Sequence, residues 1–66
     1  MTLHAALFPQ GTRVRVKAGR LPMDPQMPGR VGTVVGTDDY RPGYYAVLLD
    51  EEATARSFAQ DELERA

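Results

Sequence analysis

The residues able to do chemistry in this chain are few, and their spacing argues against catalysis. His4 is the sole histidine, Ser57 is the sole serine, and there is no cysteine. Nucleophilic catalysis needs a nucleophile, a base and an orienting group held at hydrogen-bond distance. No histidine stands near Ser57 in sequence, and thiol chemistry and thiolate metal sites are excluded. Asp38-Asp39 and Asp50-Glu51-Glu52 offer hard oxygen ligands, but they lack the spaced loop and central glycine of a calcium site. The expectation is a chain that is not an enzyme and that uses no metal or cofactor.

What remains is binding chemistry, in three groups. A basic ladder, Arg13, Arg15 and Lys17, with Arg30 further on, has the residue type that meets phosphates, and Tyr40, Tyr44 or Tyr45 could stack on bases. A loop carries Arg20, Leu21, Met23 and Met27 among prolines. Methionine adapts to varied apolar partners, and proline limits the entropy lost on docking. The third group is an acidic and aromatic face of Tyr40, Tyr44, Asp50, Glu51 and Glu52, since tyrosine is favoured at interfaces and acids could meet a basic partner. Each group also has a plain structural reading. The ladder is the wet face of a strand, Leu21, Met23 or Met27 plugs the core, and acidic turns are solvated.

Composition limits the choice. The chain has 66 residues, enough for one small domain that buries a modest core. Net charge is −1 but is unevenly spread: residues 1–34 sum to +4 and residues 35–66 to −5. That split marks either a two-sided electrostatic surface or, as preferred here, opposite charges meeting across neighbouring strands. The isoelectric point, near 5.7, is lower than nucleic-acid modules usually show. No stretch approaches a membrane helix and nothing reads as a signal peptide, so a cytoplasmic location is expected.

The elements that must position these groups are strands. Thr12 to Lys17 alternates, placing Val14 and Val16 inside and Arg13, Arg15 and Lys17 outside. Residues 18–29 hold Pro22, Pro25 and Pro28 and form one long loop. Val31 to Thr37 is a second strand whose glycines suggest a bulge, with both Val34 and Val35 available for burial. Asp38 to Gly43 is a turn. Tyr44 to Leu49 is apolar on both faces, which implies a central strand. After the turn at Asp50 to Ala53, a strand over Thr54 to Ala59 places Phe58 inside. A short 3₁₀ turn at Gln60-Asp61-Glu62 leads to a last strand around Leu63 to Arg65. A C-terminal helix over Ala55 to Ala66 competes, because its residues are good helix formers. Residues 1–10 read as a flexible arm and 11–66 as the domain.

Four stretches carry a resemblance: Gly11-Thr12-Arg13-Val14-Arg15-Val16, Gly32-Thr33-Val34-Val35, Tyr45-Ala46-Val47-Leu48-Leu49, and Phe58-Ala59-Gln60-Asp61-Glu62-Leu63-Glu64. Together they resemble the electron-transport accessory superfamily of SH3-like barrels. That group includes photosystem I reaction-centre subunit IV, the variable chain of ferredoxin–thioredoxin reductase, the nitrile hydratase β-subunit barrel and an acidic antirepressor. The resemblance implies an all-β, five-stranded small barrel, with residues 18–29, Pro/Met-rich in this chain, in the position of its long first loop. Such barrels bind and rarely catalyse, and the loop together with the acidic and aromatic face leads to the expected function, a non-catalytic accessory or regulatory subunit that docks on a larger protein. The first loop and the short turn at Asp50 to Thr54 depart from the subunit IV pattern, and both fall where partner contacts would be made. Residues 11–36 also loosely resemble the KOW pattern of ribosomal barrels, which keeps an RNA- or ribosome-associated module as the alternative. On the docking reading, Met23→Asp or Met27→Asp is expected to abolish partner capture without unfolding the domain.

Overall fold

Period-two alternation and one shared apolar interior define this molecule. The computed structural model describes residues 7–66. The strands are β1 (Arg13–Val16), β2 (Val31–Thr37), β3 (Tyr44–Leu49), β4 (Arg56–Ala59) and β5 (Leu63–Arg65), with a 3₁₀ turn at Gln60–Glu62. All pair antiparallel in a single sheet of order β4-β3-β2-β1-β5. No hydrogen-bonded ladder joins β4 to β5, so the sheet is open there and the 3₁₀ turn carries the chain between its two edges.

The core follows from the alternation. Val14 and Val16 of β1, Val34 of β2, Tyr45, Val47 and Leu49 of β3, Phe58 of β4 and Leu63 of β5 are all buried. β3 is central, between β2 and β4, and its second face is half-buried at Tyr44, Ala46 and Leu48. Burying a side chain of this size contributes roughly 1.5–3 kcal/mol, so a handful of them decides whether so short a chain folds.

Two further core members lie outside the strands. Phe8 is 4% exposed, and its ring meets Tyr45 edge-on at 5.4 Å between centroids. The Leu7 N–H donates to the Tyr45 hydroxyl at 3.0 Å, and Arg65 Nη2 donates to the Leu7 carbonyl at 3.0 Å. Of the arm expected over residues 1–10, residues 1–6 lie outside the described residues, and from Leu7 the chain is joined to the core. The other member is Met27, also buried, with Met23 packed against the same cluster. The connection from β1 to β2 is therefore folded under the sheet. The Val16 N–H donates to the Arg30 carbonyl and the Gly29 N–H to the Val16 carbonyl, each at 2.8 Å. Gly29 sits at φ 96°, a conformation that glycine adopts without strain.

β2 departs from the expectation at one residue. Its register against β3 shifts between Val34 and Gly36, leaving Val35 without a direct partner. Val35 faces outward and is 41% exposed, as alternation from buried Gly32 and Val34 requires, so of the two valines Val34 alone enters the core. Gly32 has a different reason to be glycine. A Cβ there would lie 2.5 Å from the Leu48 carbonyl oxygen and 2.9 Å from the Leu49 Cα. β2 and β3 approach too closely for any side chain.

Over residues 55–66 the structure forms β4, the 3₁₀ turn and β5, not the competing helix. At 3.6 residues per turn, Phe58 and Leu63 would project roughly 140° apart on a helix. As strand residues on either side of a tight turn, both reach the same core.

The burial pattern gives a clear contrast. Phe8→Ala is expected to cost about 3–5 kcal/mol, as for other buried aromatic truncations. Leu7→Ala, at an exposed position, should stay within about 0.5 kcal/mol. Urea unfolding followed by tyrosine fluorescence distinguishes them, and equal midpoints would remove Phe8 from the core. Gly32→Val is expected to fail to fold.

Candidate docking surface

The basic ladder and the acidic turns face each other. Arg13 donates from Nη1 to Asp50 Oδ1 at 2.7 Å and from Nη2 to Oδ2 at 2.6 Å, a bidentate pair, and Nη1 also reaches Thr33 Oγ1 at 2.8 Å. Arg15 meets Glu64 of β5 at 3.4 Å, and Arg30 lies 3.9 Å from Glu51. Arg56 grips Glu52 at 2.7 and 2.9 Å. The Arg13 guanidinium, through its hydrogen bonds, holds Asp50 below the usual carboxylate range, and Arg56 does the same for Glu52. Opposite charges thus meet between neighbouring segments, as preferred above. Of the ladder, Lys17 alone makes no ion pair among the described residues. Exposed pairs of this kind each contribute little to stability.

The loop residues divide. Met27 belongs to the core and half-buried Met23 packs against it, while Leu21 is 66% exposed and Arg20 extends into solvent. Met27→Asp would bury an unpaired carboxylate, so the expectation that it spares the fold is corrected here: burial makes it an unfolding substitution. Arg20 donates from Nε to Asp61 Oδ2 of the 3₁₀ turn at 2.9 Å.

A second loop is fixed by one carboxylate. Asp38 Oδ1 accepts the Tyr40 N–H at 2.9 Å and Oδ2 accepts the Ser57 hydroxyl at 2.5 Å. Its N–H donates to the Tyr44 carbonyl at 3.0 Å, and its carbonyl accepts the Arg41 N–H at 3.3 Å. This turn lifts Tyr40 to 94% exposure. It also lays the Arg41 guanidinium over the Tyr44 ring, 3.9 Å from the centroid. Tyr40 is therefore on this loop and Tyr44 opens β3 where the loop ends, whereas Asp50, Glu51 and Glu52 are occupied with arginines elsewhere.

The 3₁₀ turn is the third component. Glu62 Oε1 accepts the Ala59 N–H at 2.8 Å, which satisfies a donor at the end of edge strand β4. The Leu63 N–H closes the turn on the Gln60 carbonyl. These contacts explain the run Phe58-Ala59-Gln60-Asp61-Glu62-Leu63: two core residues flank a self-capped turn whose Asp61 holds Arg20.

The three components meet in a hollow of about 300 Å³, lined by Arg20, Pro42, Gly43, Tyr44, Ala59, Gln60 and Asp61. The structure thereby brings together Arg20 and Tyr44, which the sequence placed in separate groups. It adds Gln60 and Asp61, whose only sequence signal was a polar turn. A larger hollow, about 420 Å³, is lined only by the consecutive residues Glu52 to Arg56. A single turn forms it, and no second element adds a recognition group. Among the described residues no polar or charged side chain is buried, and no cluster of three metal-ligating side chains occurs. No helix among the described residues is long and apolar enough to cross a membrane. Comparison with protein-family models, with curated proteins and with solved structures gives no match.

The Asp38 node sets a pH dependence. The Ser57 hydroxyl and then the Tyr40 N–H hold the Asp38 carboxyl below its usual range. A carboxylate depressed by folding adds stability that is complete above its unfolded pKa, about 4, and is lost as pH falls through its folded value. Asp50 and Glu52 act in the same direction. The thermal midpoint is expected to fall from about pH 5 toward pH 2, with Asp38→Asn flattening part of that slope. Identical slopes in wild type and variant would show that Asp38 holds nothing in place.

Proposed function

We propose that this chain is a non-catalytic protein-binding module, a small accessory or regulatory subunit that docks on a larger protein in the cytoplasm. We also propose that its sheet is an SH3-like barrel of the electron-transport accessory kind. The pairing of β5 with β1, and a 3₁₀ turn bridging the two sheet edges, support that architecture. The observation that carries the docking reading is the convergence of three separate chain segments on the hollow beside Tyr44. Rigid aromatic side chains beside a polar rim are what protein interfaces use. The docking surface is then Arg20, Leu21, Tyr40 and Tyr44, while Met23 and Met27 serve the core beneath it.

The RNA-binding alternative loses support from the same geometry. Arg13, Arg15 and Arg30 each face a carboxylate, so phosphate would have to displace an existing ion pair. The docking reading is tested by affinity capture from host lysate, with and without nuclease. The expected result is a stoichiometric protein partner that survives nuclease. Its recovery should fall by about tenfold or more in Tyr40→Ala or Tyr44→Ala, as for an aromatic anchor. Capture that vanishes with nuclease, and with Arg13→Glu plus Arg15→Glu, would reverse the ranking.

A further inference from the structure

The connection from β1 to β2 is tied down unequally along its length. Its second half is held through the backbone. The Met27 N–H donates to the Asp24 carbonyl at 2.9 Å, the Arg30 N–H to the Met27 carbonyl at 3.1 Å, and the Gly29 N–H to the Val16 carbonyl at 2.8 Å. Asp24 Oδ1 also accepts the Gln26 N–H at 2.9 Å, and Arg30 Nε donates to the Gln26 carbonyl at 3.0 Å. Residues 18–23, by contrast, make no backbone–backbone hydrogen bond among the described residues. Ala18, Arg20, Leu21 and Pro22 are exposed. Two side chains of this half reach the rest of the molecule: Arg20, paired with Asp61 at 2.9 Å, and half-buried Met23, packed against the core. An exposed ion pair contributes little, so Met23 is the main anchor.

That anchor is chemically vulnerable. With no cysteine in the chain, methionine thioethers are its only oxidisable sulfur. Met27 is 9% exposed and closed into the core, whereas Met23 is half-buried, within reach of a small oxidant. Susceptibility follows exposure, and the product sulfoxide is polar. A polar group held against an apolar cluster without a hydrogen-bond partner is unfavourable, so the sulfoxide turns outward to water.

We propose that Met23 is an oxidation site whose sulfoxide releases residues 18–23 from the core while the sheet stays folded. The oxidant is hydrogen peroxide. The Met23 sulfur attacks one peroxide oxygen, an S–O bond forms and the O–O bond breaks. Sulfur loses two electrons, and the departing hydroxide takes a proton and leaves as water. Met27 and the backbone bonds of residues 24–30 keep the second half in place. The half that moves carries Arg20 and Leu21, so the modification reaches the surface proposed above for docking, but the inference stands on the anchoring alone.

The test adds hydrogen peroxide to the full chain labelled with ¹⁵N, and fragment-ion mass spectrometry assigns each added oxygen to one methionine. Met23 is expected to gain its oxygen before Met27. Relaxation measurements should then show a loss of order confined to residues 18–23, and the Arg20 Nε–H signal should shift as its bond to Asp61 loosens, while the strand signals stay dispersed. Met23→Leu, a volume-conserving change, should abolish the response. Met23→Gln, a polar side chain of similar length, should reproduce the loosening without peroxide. The proposal is overturned by oxidation of Met27 as early as Met23, or by unchanged order at residues 18–23 once Met23 is oxidised. It is equally overturned if Met23→Leu responds like the wild type, or if the oxidised chain or Met23→Gln loses its strand signals.

Discussion

Everything in this molecule depends on the inner stripe of β3. Tyr45, Val47 and Leu49 are buried, and each remaining strand, the Phe8 segment and the β1–β2 connection bring a side chain to the same cluster. There is no cysteine, and among the described residues one cluster forms the core. A chain of this length folds only if nearly every inward position is apolar and well packed, since conformational entropy opposes each ordered residue. The core therefore takes two residues from outside the sheet, and this has a functional effect. A connection anchored by Met27 and Met23 is not free to act as an adaptable binding loop, but it holds Arg20 and Leu21 at a defined place on the surface.

Much of the sheet was legible because alternation is a local signal. The limits of β2 and β3 and the inward placement of Val14, Val16 and Phe58 follow from which neighbours are apolar. What escaped depends on distant contacts. Phe8 looks like part of an arm because Pro9 follows it, and its burial is visible only once Tyr45 is placed across the fold. Val34 and Val35 are adjacent and equally apolar, and only the placed sheet shows that Val34 is the one facing the core. The prolines around Met27 announce a loop but not which of its side chains turns inward.

The candidate site was legible only in fragments. Arg20 and Tyr44 were each recognised, but in different groups, because nothing local relates residues so far apart in sequence. Their meeting depends on two turns that hold themselves in shape, one through Asp38 and the other through Glu62. Asp38 and Glu62 would be read from composition as solvated acids. In the structure they are the hydrogen-bond acceptors that fix the two walls of the hollow.

The ion pairs have a consequence for the order in which the molecule forms. Arg13, Arg15 and Arg20 find Asp50, Glu64 and Asp61 at sequence separations of 37, 49 and 41. None of these three arginines meets its carboxylate within its own hairpin or turn. Each pair closes only once distant strands have met, and loop-closure entropy is met before the attraction can act. The charges therefore report that the sheet has assembled and do not guide its first contacts.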